Sequence, residues 1–136
     1  MGVLNVKISI IRITLEFMSE EYQEQQIHKL RELGKSHSEA KGQVTLLDHS
    51  RKILLAKLMK EHMINSNTGK LDSVASQDRE ARSDPRYEEH IKALAIAVQN
   101  EAELSYEKTI ININFETWKT KMINNMKEYR NYGNKK

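Results

Sequence analysis

The stretch Ser83-Asp84-Pro85-Arg86-Tyr87-Glu88-Glu89-His90-Ile91 decides the fold. Asp84 is placed to cap free amides, and Pro85 suits the first helical position, where no donor is missed. Beyond it Tyr87, Ile91, Leu94, Val98, Ser105, Asn112, Phe115, Met122, Met126 and Tyr129 follow helical steps. Ala95, Ala102, Tyr106, Ile110 and Ile113 widen the stripe. The spacing predicts one helix from Pro85 to Tyr132, on the order of 70 Å long and ended by Gly133.

Upstream of that start signal, Ser73 to Arg82 reads as a short helix capped by Asp72 or Ser73. Asn65-Ser66-Asn67-Thr68-Gly69 is a run of turn formers that stops whatever precedes it. What precedes it is helical again: Ile27, Leu30, Leu33, Ala40, Val44, Leu47, Leu54 and Leu58 step by three and four, with Gly34, His37 and Arg51 at seam positions. Ser19-Glu20-Glu21 supplies its cap and first-turn acids. Gly34 and Gly42 each cost about 1 kcal/mol against Ala in a helix interior, so a break or kink is expected between them. Val6 to Phe17 alternate as a strand does, with a phase change at Ile10-Ile11, but no partner strand follows. Residues 1–17 are therefore expected to be an N-terminal extension upstream of an initiator at Met18, or an unpaired strand.

The expected fold class is all-α: two long helices in an antiparallel hairpin with a short helical connector, in one domain over residues 18–133, followed by a basic tail at 134–136. The 136 residues, 38% hydrophobic and 30% charged at a net charge of +3, suffice for one such domain and a thin core. Two helices cannot enclose a core, so the half-exposed face of Ile110, Ile111, Ile113, Phe115 and Trp118 implies closure by self-association. No apolar run nears the roughly 20 residues of a membrane span, and Lys7, Arg12 and Glu16 interrupt the N-terminal one. A cytoplasmic location is expected.

Catalytic patterns are missing. The absence of Cys removes disulfides, thiol chemistry and zinc knuckles. His28, His37, His49, His62 and His90 include no pair at metal-ligand spacing, and Glu88-Glu89-His90 diverge around a helix, so neither a metal site nor a cofactor is expected. Asp48-His49-Ser50 are consecutive and cannot form a relay, and the glycines make no phosphate loop. The chain reads as a non-enzyme.

Charge is unevenly distributed. Residues 28–60 hold eight Lys/Arg against three Asp/Glu, residues 61–110 six against ten, and residues 117–136 six against one. Trp118, Lys119, Lys121, Lys127, Tyr129 and Arg130 interleave aromatic rings with positive charge, the composition of a surface that binds single-stranded nucleic acid. Arg51, Lys52 and Lys57 extend that candidate set. The alternative is that Trp118 and Tyr129 are seam residues and the basic end only complements the helix dipole.

Ser50-Arg51-Lys52-Ile53-Leu54-Leu55, Ala75-Ser76-Gln77-Asp78-Arg79-Glu80-Ala81, Asp84-Pro85-Arg86-Tyr87 and Phe115-Glu116-Thr117-Trp118-Lys119-Thr120 together resemble small helical phage and prophage proteins. In outline, over roughly residues 20–133, the chain is also similar to the UvsY-type recombination mediators of T-even-like phages. It departs from them where Glu61-His62-Met63-Ile64 replaces a Tyr-Tyr-Ser-Gly segment. That resemblance implies an oligomeric helical protein of the host-cell cytoplasm that binds single-stranded DNA and works beside a recombinase or single-strand-binding protein, with Arg51, Lys52 and Lys57 nearest the family's basic segment. Two functions are thus expected in competition: a single-stranded-DNA-binding recombination accessory, or an oligomeric adaptor or structural phage protein that acts through a protein partner without nucleic acid.

Overall fold

The computed structural model describes residues 2–134, with the backbone alone described at 11–19 and 134. The fold is all-α: α1 (Gly2–Glu61), α2 (Val74–Ser83) and α3 (Pro85–Asn134). Residues 135–136 of the expected basic tail lie outside the described residues. The chain divides into two compact units, residues 1–35 with 105–136, and residues 36–104.

Three expectations about α1 are corrected. The strand over Val6 to Phe17 is helix, and Ser19 lies inside α1 instead of capping it. The physical reason is pairing. A β-branched residue loses only about 0.5 kcal/mol in a helix, whereas a lone strand leaves its backbone donors and acceptors without partners. Nor does α1 end or restart at Gly34 or Gly42. At the far end, α3 runs through Gly133 to Asn134.

The less exposed positions of α3 up to residue 133 are Tyr87, His90, Leu94, Ala97, Glu101, Leu104, Lys108, Ile111, Phe115, Trp118, Met122, Met126 and Tyr129. Their steps alternate three and four up to Met122, the seven-residue repeat of coiled-coil packing. In α1 the same alternation runs through Gln26, Leu30, Leu33, His37, Ala40, Val44, Leu47, Arg51, Leu54 and Leu58, with Gln26 buried where Ile27 was expected.

In the unit of residues 36–104, α1 and α3 run antiparallel, because rising numbers on one meet falling numbers on the other. His37 Nε2 donates to Glu101 Oε1 at 2.8 Å, and the ring of His90 meets the Leu47 carbonyl at 2.7 Å. A carbonyl only accepts, so Nε2 of His90 carries the proton. Leu58, Ala81 and Tyr87 form the buried centre, with Leu54, Leu55 and Met59 packed against it. Ser73 caps α2 by accepting from the Ser76 amide at 3.1 Å, which settles the choice between Asp72 and Ser73. Asp84 closes α2 and caps α3, accepting from the Arg86 amide at 2.9 Å. In the other unit, Tyr22 of α1 packs on Trp118 at 4.2 Å between ring centroids and lies parallel to Phe115 at 6.3 Å.

Candidate interaction surfaces

α3 presents two different surfaces over residues 105–133. At about 100° per residue, Ile111, Phe115, Trp118, Met122, Met126 and Tyr129 share one side, and these are its half-buried positions. Tyr106, Ile110 and Ile113 lie on the opposite side, 67%, 37% and 58% exposed. The single apolar face expected from Ile110 to Trp118 is therefore divided: Ile111, Phe115 and Trp118 turn inward, while Ile110 and Ile113 join Tyr106 in an outward stripe at i, i+4, i+7. That spacing is what a helical partner reads. Sequence steps of three and four did not separate the two sides, because Asn112, Asn114 and Thr117 leave both of them mixed in polarity.

The candidate nucleic-acid residues fall into different settings. Trp118 is half-buried in a triangle of rings, its centroid 4.2 Å from that of Tyr22 and 6.2 Å from that of Phe115. Tyr129 is half-buried too, and its hydroxyl is sequestered without a hydrogen-bond partner among the described residues. Both rings are thus partly withdrawn from solvent, unlike the exposed rings on which bases stack. Lys119, Lys121, Lys127 and Arg130 are exposed. Lys119, Lys127 and Arg130 fall within about 80° of one another around α3, and Lys121 is on its other flank. None of the four forms an ion pair with a described residue.

Arg51, Lys52 and Lys57 belong to the other unit. Arg51 is half-buried and tied to Asp48, with Nη2 3.1 Å and Nε 3.4 Å from Oδ1. The Tyr87 phenol and then the Asp48 carboxylate raise its affinity for its proton, and Asp48 in turn is held below the usual carboxylate range, first by its bond from Arg51. Arg51 is thus a seam residue with its charge matched. Lys52 and Lys57 are exposed.

In the same unit an open groove of about 610 Å³ lies between Gln43 and Leu47 of α1 and Ala93, Ile96, Ala97, Gln99, Asn100 and Glu103 of α3. Among the described residues no group of three or more His, Asp or Glu can hold a metal ion, and no helix is long and apolar enough to cross a membrane. No protein-family model matches this chain, and neither a curated protein nor a solved structure matches it.

Proposed function

We propose that this chain is a non-catalytic helical adaptor that self-associates through the outward stripe of α3. The observation that carries this reading is the exposure of Tyr106, Ile110 and Ile113 at helical spacing. Light scattering between about 1 and 100 μM is expected to show a dimer or larger species, and Ile110→Asp with Ile113→Asp to give a monomer that keeps its helical circular dichroism. A wild-type monomer throughout that range overturns the reading.

A second reading rests on a different observation: Lys119, Lys127 and Arg130 share one side of α3 with no carboxylate partner among the described residues. In it the basic side neutralises the phosphates of single-stranded DNA, and the likeness to recombination mediators, with a recombinase or single-strand-binding protein as partner, belongs here. Anisotropy of a labelled poly-dT strand from about 50 to 200 mM salt tests it, since phosphate contacts weaken steeply over that range.

A further inference from the structure

The outward stripe of α3 has an acid before it and a base after it. Glu103 and Lys121 are both exposed. They are eighteen residues apart in one continuous helix, which is five turns at about 3.6 residues per turn, so they stand on a single line along α3. That line runs about 20° around the helix from Ile110. Asn112, midway between the two charges in the chain, falls between Ile110 and Ile113. Glu103 accepts from Gln99 Nε2 at 3.2 Å, a neutral amide that leaves its charge unmatched, and Lys121 forms no ion pair with a described residue. On the order of 27 Å of helix separates Glu103 from Lys121, so they cannot meet within one chain.

Between two chains they can. A two-fold axis at the level of Asn112, perpendicular to the helices, lays Ile110 of one copy on Ile113 of the other and Tyr106 beside Thr117. The same operation sets Glu103 of each copy against Lys121 of the other, two contacts for every pair of chains. Glu107 is one turn from Glu103 on the same flank and adds to the field that Lys121 meets. Glu116 and Lys127 lie on the opposite flank, where no charge of like sign comes level with them.

The parallel alternative fares worse. In register it gains Glu116 against Lys121 of the other copy, but it sets Glu103 beside Glu103 and Lys127 beside Lys127. The aliphatic contacts are similar in the two orientations, so charge decides between them. We infer that two copies of this chain pair through α3 in antiparallel orientation, with Glu103 and Lys121 as the residues that select it. The inference rests on the self-association reading and gives it an orientation.

The test uses the full chain. It contains no cysteine, so a single introduced thiol can cross-link only to another copy. Chains with Tyr106→Cys and chains with Thr117→Cys are oxidised separately and mixed. Antiparallel pairing brings position 106 level with 117 and holds like positions on the order of 15 Å or more apart along the helix, beyond the reach of a disulfide. The mixture is therefore expected to give the mixed disulfide, and neither variant alone to cross-link. Glu103→Lys and Lys121→Glu each reverse both contacts of a pair and are each expected to weaken the dimer about tenfold in a light-scattering dilution series. The double variant is expected to regain the wild-type affinity, with helical circular dichroism unchanged in all three. Disulfides between like positions, a double variant no tighter than the single ones, or reversals without effect overturn the antiparallel pairing while the dimer itself stands. A monomeric wild-type chain overturns the self-association reading beneath it.

Discussion

Arg86, in the first turn of α3, joins Glu61, the last residue of α1, to Asp84, the residue that closes α2 and caps α3. Its Nη2 stands 2.9 Å from Asp84 Oδ2 and its Nε 3.1 Å from Oδ1. One guanidinium thus fixes the corner where all three helices end or begin, which propensity alone would leave to fray.

That corner predicts an acid dependence. The Arg86 side chain first, then its amide, holds the Asp84 carboxyl well below the usual carboxylate range, and Asp84 and Glu61 raise Arg86 in return. A folded-state value that is depressed contributes stability above the ordinary carboxylate range, near about pH 4, and the contribution is lost as pH falls toward the folded value. The melting temperature is expected to drop on acidification from about pH 5 to about pH 2. Asp84→Asn should lower it at pH 7 and flatten the acid limb, leaving the share of Asp48. Melts followed by circular dichroism check this, and an unchanged limb in the variant refutes it.

The glycines inside α1 predict the opposite sign. Gly34 and Gly42 lie in continuous helix, and a Cβ built on either meets nothing within 4 Å. Alanine there removes unfolded-state freedom and adds no clash, so each substitution is expected to raise stability by about 1 kcal/mol. Eight residues apart, on the order of 12 Å along the helix, the two gains should add. Urea denaturation of the single and double variants measures both.

Much of the fold was legible in the sequence, because its start and stop signals act locally. Ser83-Asp84-Pro85, the Asn65 to Gly69 turn and the short helix after Ser73 all stand where the residue types put them. The register of the seam was less legible. His37 and Arg51 stand at the seam positions their spacing gave them, but Gln26, His90, Glu101 and Lys108 are also inward, and an apolar pattern cannot reveal a seven-residue repeat that polar residues complete. The partner of His37, Glu101, is 64 residues away in the chain. The N-terminal strand failed for a different reason: alternation describes a side-chain pattern, while the backbone obeys its need for hydrogen-bond partners. Of the candidate binding residues, charge and exposure agreed at Lys119, Lys121, Lys127 and Arg130. Arg51, Trp118 and Tyr129 were ambiguous because both a binding face and a seam use such side chains.

Leu58 is fully buried against Ala81 and Tyr87 and is the largest side chain so enclosed among the described residues. Leu58→Ala removes buried methyl groups and leaves a cavity, for an expected loss of about 3 kcal/mol. Leu46→Ala, at an exposed position of the same helix, is expected to change stability by less than about 0.5 kcal/mol. Comparable losses in the two variants, read by urea titration, would show that the unit of residues 36–104 is not held together around Leu58.

The basic side of α3 and its aromatic neighbours can be separated experimentally. Trp118 is the chain's one tryptophan, and its ring packs tilted on Tyr22 and stacks with Phe115. Tyr22→Ala is expected to red-shift Trp118 emission and lower stability while leaving any affinity for poly-dT unchanged, because the ring contact lies inside the packing. Lys119→Ala, Lys127→Ala and Arg130→Ala together should do the reverse. They leave emission and melting near wild type and, if all three ammonium and guanidinium groups contact phosphates, reduce the slope of log affinity against log salt by about 2. A triple variant with the wild-type slope removes this side of α3 from DNA binding. A Tyr22→Ala chain that loses DNA affinity at full helicity would return the aromatic cluster to the binding surface.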